Sequence, residues 1–431
     1  MSRQRISILS PNLSGNALGR AYVLAKLLQE DFHVQVVGFN ASDDIWAPVR
    51  NDTTIEYRRF YYATVPEFWL NASRTVKRLV EGQLILAVKP VHQSFGLGLY
   101  ARRLLSRPLL LDIDDWEIGF LSNSVYWEFR LQLLKWFLSS GSPLFTRVLD
   151  RLTWKADAIT VSNSFLQNRY GGTWVPHARD EHDFDPRHFP DLGHPGTPNL
   201  RTVLFLGTAR QNKGLPDLVS AWRQVHVPDA VLRIIGTPLD SPLIQALLTQ
   251  ADHTRTCFEG PVSFERLPSI IASASIIVIP QQLVSGSVGQ LPAKLIDAMA
   301  AGRPVISTAV GDIPLWLADG AGLVVSPGDP SALAKAIQRL LEDRALGTLM
   351  GQRARVRFLR YGSYSVVRPR LVKLVSDLIA RRSIALPEPV FSETERSGQA
   401  PCYGGYAFGS GHDRFRTNPK KGFCPTGTSV L

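Results

Sequence analysis

Arg210 and Lys213 stand three residues apart in Gly207-Thr208-Ala209-Arg210-Gln211-Asn212-Lys213-Gly214, a loop bounded by glycines. Two such cations can grip a diphosphate through charge-assisted hydrogen bonds and steady its charge as it leaves; two solvated loop cations are the plainer alternative. A second segment, Ser285-Gly286-Ser287-Val288-Gly289-Gln290-Leu291-Pro292-Ala293-Lys294-Leu295-Ile296-Asp297, runs from a glycine-rich loop into a helix that starts near Pro292. The N–H groups of Ala293, Lys294 and Leu295 would face an anion, and Asp297, one turn further, would meet a ribose. An ordinary loop and an exposed helix acid are the alternatives. The third segment is acidic: Leu111-Asp112-Ile113-Asp114-Asp115-Trp116-Glu117. Clustered carboxylates raise one another's pKa, so one of them could take a proton from a hydroxyl, orient a sugar or bind a cation. The alternative is a solvated loop in which Asp112 or Asp115 caps a helix.

Lesser candidates are Gly15 and Asn16 in a glycine-containing turn, Lys89, His92 and Ser94 in Lys89-Pro90-Val91-His92-Gln93-Ser94, and His177 and Arg179 in Val175-Pro176-His177-Ala178-Arg179-Asp180. Each has a packed or solvated structural role as its alternative. The Gly15 turn lacks the spacing GxGxxG, and Asn40, not an acid, follows the next apolar run. That argues against a dinucleotide site.

Positioning these groups requires a scaffold, and the apolar pattern supplies one. Short β-branched runs alternate with helical-period segments: Ile6–Leu9, Val34–Phe39, Leu84–Val88, Leu109–Ile113 and Ala158–Val161, then Val203–Leu206, Val231–Ile235, Ile276–Ile279, Val305–Ser307 and Leu323–Val325. Runs without polar alternation are what a parallel sheet covered on both faces demands. The pattern predicts an α/β chain of two Rossmann-like, doubly wound domains facing each other across a cleft. The boundaries read as 1–185, a proline- and glycine-rich linker at 186–199, a second domain at 200–365, a helix at 366–386 packing back toward the first domain, and a disordered tail at 387–431. Ligands of open α/β sheets bind beyond the carboxyl ends of the strands, so both domains would present their sites to the shared cleft.

The chain has 431 residues, enough for two or three domains, and 45% hydrophobic and 20% charged residues, which excludes wholesale disorder. No stretch approaches the roughly 18 apolar residues of a membrane span. Three cysteines are too few for a disulfide framework and show no metal-ligand spacing. The net charge of +11 favours anionic partners, but no nucleic-acid recognition motif or Lys/Arg block accompanies it. The expectation is a cytoplasmic protein that binds no nucleic acid. Residues 126–154 combine aromatic and basic side chains; such an amphipathic segment either lies on an anionic membrane face or packs on its own domain.

Three segments in order, Gly207 to Gly214, Pro292 to Thr308 and Gly322 to Pro330, closely resemble the carboxyl-terminal domain of group 1 (family 4) glycosyltransferases. The resemblance is strong over 200–345 and looser across 1–380. It implies a GT-B fold and a metal-independent, retaining transfer of sugar from a nucleotide-sugar of unread base to a saccharide or lipid-linked saccharide, with no cofactor. Arg210 and Lys213 would hold the donor diphosphate, the helix start at Ala293–Leu295 the distal phosphate, and Asp297 the ribose. Gly15, Gly207, Ser287 and Gly289 would line the donor site. The catalytic set would be Arg210, Lys213, Asp114 and Asp115, with Asn16, Lys89, His92, Ser94, Asp112, Trp116, Glu117, His177 and Arg179 as acceptor or sugar candidates. The sequence departs from the family where Gly289 stands eight residues before Asp297, at the place of a glutamate that touches the transferred sugar. A dissociative mechanism, with the leaving phosphate guiding attack on the same face, needs no protein nucleophile and so tolerates that loss. Domain closure would exclude water. The same fold also serves nucleotide-sugar epimerases and non-catalytic binding or scaffold proteins.

Overall fold

A computed structural model describes residues 3–40, 42, 44–121, 143–189 and 200–380. Seven parallel strands form the first sheet: β1 (Arg5–Ser10), β2 (His33–Phe39), β3 (Glu56–Phe60), β4 (Leu84–Val88), β5 (Leu109–Ile113), β6 (Ala158–Val161) and β7 (Thr173–Trp174). Their order is β3-β2-β1-β4-β5-β6-β7. Six more parallel strands form the second: β8 (Arg201–Leu206), β9 (Ala230–Ile235), β10 (Thr256–Glu259), β11 (Ile276–Ile279), β12 (Val305–Thr308) and β13 (Leu323–Val325), ordered β10-β9-β8-β11-β12-β13. Both are doubly wound sheets whose first strand lies inside and whose order reverses beside it, the place where open α/β sheets open a ligand crevice. The fold is two Rossmann-like domains.

All ten apolar runs are strands. The central ones are buried along their length, as β4 and β5 show, because helices cover both faces. The three further strands, β3, β7 and β10, are edges. An edge strand needs only half the burial, so Glu-Tyr-Arg-Arg-Phe at 56–60 carries no apolar run to announce it.

The last described helix, Tyr364–Ile379, follows the second domain in sequence but packs on the first. Its Val367, Leu371, Leu374, Val375 and Leu378 share one buried core with Ile6, Ile8, Leu24 and Leu28. The chain therefore passes between the domains twice. The two crossings touch: the Arg179 N–H donates to Gly362 O at 3.1 Å, and the Tyr364 N–H donates to Arg179 O at 2.9 Å. The linker residues 190–199, the tail 387–431 and residues 126–142 of the basic aromatic segment lie outside the described residues. Within that segment, the helix Pro143–Arg151 and the turn after it expose Leu144, Val148 and Trp154.

Candidate functional site

A cavity of about 420 Å³ opens between the two sheets, lined from the first domain by Asn16, Asp114, Asp115, His177 and Arg179 and from the second by Gly207, Lys213, Gln290, Ala293, Lys294 and Asp297. The second domain brings its groups there through two βα turns. After β8 the chain turns at Gly207, whose φ of +129° favours glycine. An added Cβ there would stand 3.2 Å from the Lys294 ammonium nitrogen, so the missing side chain makes room for Lys294. Gly214, at φ +66°, ends the loop against the Pro280 carbonyl and aims the helix Leu215–Trp222 into the domain. The helix Ala293–Ala300 begins after Pro292 at the cavity wall. The first N–H groups of a helix have no intrahelical acceptor, and those of Ala293 and Lys294 start this one. The Leu295 N–H instead donates to Pro292 O at 2.9 Å, and its side chain is in the core, so Leu295 does not face a ligand.

Positive charge is concentrated and partly desolvated. Burial pulls the Lys213 ammonium down to about 8, against the attraction of Asp115. Burial, with Lys213 nearby, puts Lys294 well below the ordinary lysine range. Arg210 is exposed and outside the cavity lining; Lys213, rather than both members of the pair, meets the cavity. Gly15 and Ser287 are likewise not on its wall, and Ser287 is fully buried.

The acidic segment divides. Asp112 is fully buried and held by three donors: Arg20 Nε and Nη2 donate to its two oxygens at 2.8 and 2.7 Å, and Thr160 Oγ1 at 2.7 Å. Arg20 also donates to the carbonyls of Val175 and Pro176, tying β5 to the segment that carries His177. Asp112 is therefore a structural anchor and is closed to an acceptor. Asp114 and Asp115 turn into the cavity. Lys89 Nζ lies behind them, donating to Asp115 Oδ2 at 2.6 Å and Glu117 Oε1 at 2.5 Å, and 3.5 Å from Asp114 Oδ1. Burial pushes the Asp114 carboxyl up, with Lys89 opposing and Asp115 reinforcing. Burial raises Asp115 too, but the Lys89 charge and hydrogen bonds from Lys89 and Gln290 outweigh it and hold this carboxyl below the usual range. Lys89 itself sits at φ +68°, a strained setting for a residue with a side chain. Ser94 Oγ donates to its carbonyl at 2.9 Å. Ser94 thus supports Lys89 from beneath, and His92, buried beside Tyr62, Phe68 and Phe145, belongs to an aromatic cluster away from the cavity.

Two pairs bridge the domains across the cavity. Arg179 Nε lies 2.6 Å from Asp297 Oδ1, both nearly buried. Burial raises Asp297, and Arg179 draws it back. Gln290 Nε2 donates to Asp115 Oδ1 at 2.8 Å while its Oε1 accepts from Lys213. His177 lines the wall; burial, then Arg20 and Arg179, lower its pKa well below the usual histidine value, so it stands neutral. Arg20 and Gln290 carried no signal in the sequence: single polar residues in a helix and beside a loop have no telling spacing. Trp116 and Phe165 occupy the space beside Gly289, where an added Cβ would come within 2.5 Å of the Trp116 Cβ and 3.1 Å of the Phe165 ring.

Residues 200–343, which hold the cavity's cationic wall, match the family described as Glycosyl transferases group 1. The second domain is a group 1 glycosyltransferase domain. Among curated relatives of this chain, a GDP-mannose-dependent monoacylated alpha-(1-6)-phosphatidylinositol monomannoside mannosyltransferase of Corynebacterium glutamicum is 24% identical over 56% of this chain and 66% of its own length. A D-inositol 3-phosphate glycosyltransferase of Streptomyces avermitilis is 35% identical over 29% of this chain and 27% of its own. The chain thus spans less than two thirds of these relatives' lengths. Among solved structures, Anabaena HepE in complex with UDP-glucose superposes with a TM-score of 0.69 at 18% identity, over 87% of this chain and all of that one. Sucrose-phosphate synthase of Thermosynechococcus elongatus gives 0.65 at 20% identity, over 88% and 100%. These likenesses show the GT-B fold over 87–88% of this chain.

Proposed function

We propose that the chain transfers a sugar from a nucleotide-diphosphate sugar to an acceptor hydroxyl, with retention and without a metal. The observation that carries this reading is the meeting of Lys213, Lys294 and the start of the helix Ala293–Ala300 in one interdomain cavity. A diphosphate bound there would restore the charge that burial withdraws from both lysines, and the ammonium groups would take up the charge developing on the leaving group as a divalent cation would. Asp297 and Arg179 would sit at the ribose end. Asp114, Asp115 and His177 would face the transferred sugar and the incoming hydroxyl. The dissociating phosphate would take the acceptor proton, so attack would come from the face the diphosphate leaves.

The acceptor is a saccharide or a lipid-linked saccharide, and a membrane-held acceptor is supported by the exposed Leu144, Val148 and Trp154 beside Arg147, Arg151 and Lys155. Co-sedimentation with anionic vesicles at low salt tests that surface, and equal recovery in the supernatant with and without vesicles would dismiss it. The donor reading is tested by thermal denaturation against UDP, GDP, ADP, CDP and their sugars. A ligand at a hundred times its Kd stabilises the folded state by about 2.7 kcal/mol. A shift with one nucleotide family that disappears in Lys213→Ala is the expected result, and no shift with any of them would end the reading.

A further inference from the structure

A carboxylate can read the hydroxyls of a transferred sugar, and residue 289 cannot supply one. Gly289 lies against Trp116 and Phe165 of the first domain, and its carbonyl accepts from Asn163 Nδ2 at 3.0 Å. No side chain fits there. Its neighbour Gln290 reaches into the cavity and joins two charged groups from different domains, donating to Asp115 and accepting from Lys213. Asp115 has one oxygen held by Gln290 and the other by Lys89, yet a carboxylate has about four lone-pair sites, so acceptor capacity remains on both. Beside it, Asp114 Oδ1 is buried on the cavity wall, has no hydrogen-bond donor among the described residues, and meets the Lys89 ammonium only at 3.5 Å. An ion pair at that distance leaves the hydrogen bond unmade, and a ligand hydroxyl would complete it.

We propose that, given the donor site assigned above, the sugar-reading carboxylates of this chain come from the first domain, Asp114 and Asp115, and that Gln290 is the positioning residue that fixes them against Lys213 and the diphosphate. The recognised group is the set of hydroxyls on the transferred sugar, and the nucleoside diphosphate itself makes no use of the arrangement. Gln290 works through its neighbours: its amide donates to a carboxylate and accepts from an ammonium at once.

The test is calorimetric. Kd is measured for UDP, UDP-glucose, GDP and GDP-mannose with the full chain, with Gln290→Met, which keeps length and bulk, and with Asp115→Asn, which keeps shape. The reading is the ratio of the nucleotide-sugar Kd to that of the matching nucleoside diphosphate. In both variants this ratio should rise by about tenfold, the size of one charge-assisted hydrogen bond. Gln290→Met with an unchanged ratio, or with equal losses for diphosphate and nucleotide-sugar, would overturn the positioning role while leaving the donor site standing. Wild-type protein that binds none of the four, nor ADP, CDP or their sugars, would overturn the donor reading and this inference together.

Discussion

Lys213 carries its function as a proton balance. In the free protein its ammonium titrates near pH 8, since burial disfavours the charge. Below that pH Lys213 is already charged and takes up no proton on binding. Above it, binding must draw a proton to Lys213, so affinity falls as pH rises. Nucleoside diphosphate Kd should climb by up to tenfold per pH unit above about pH 8 through this group. Calorimetry at pH 9 in two buffers of different ionisation heat should show proton uptake, and identical heats would contradict it. Asp112 gives the opposite lesson. It stands in an acidic segment, yet Arg20 and Thr160 hold both of its oxygens away from the cavity. Breaking a fully buried pair leaves a bare charge, so Arg20→Met should cost about 3–5 kcal/mol in denaturant unfolding. A change under about 1 kcal/mol would remove the anchor role. Composition located the acids of the site; which carboxylate turns into the cavity depends on a partner 92 residues away, which spacing cannot register.

Between elements, the glycines of the polar loop before Pro292 read in sequence as ligand-cradling positions. Folded, they are contact points between domains. The helical turn Ser285–Val288 packs on the helix Glu117–Leu121, and a Cβ at Gly286 would run into the Phe120 ring. Gly286→Ala should therefore lower stability by about 1–3 kcal/mol through overpacking. Gly289→Glu, which would recreate the family's missing carboxylate, should abolish donor turnover, because the new side chain has to push Trp116 and Phe165 out of the seam. Gain of turnover in that variant would refute this account of the departure. The buried strands were legible because helices on both faces demand unbroken apolar runs, whereas β3 and β10, polar and at the edges, were not. Sequence periodicity reports how many faces of a strand are covered, and an edge strand mutes that signal.

Across the whole molecule, the first domain is incomplete without the last described helix. Five buried aliphatic side chains of Tyr364–Ile379 enter its core, on the order of 10 kcal/mol of apolar burial as an upper figure. A chain ending at residue 362 should lose its cooperative unfolding transition and aggregate. A soluble truncated protein with unchanged melting would show that the helix is dispensable.

The two crossings also set how the halves can turn. Two parallel tethers bonded side by side at Arg179 and Ser363 resist twisting and sliding far more than bending, as a door on paired pins keeps a single swing. The backbone of Arg179 is one of those pins, while its side chain grips Asp297 inside the cavity. A ligand that takes Asp297 from Arg179 would therefore act on a residue whose own backbone joins the two crossings, with no intervening relay between pocket and hinge.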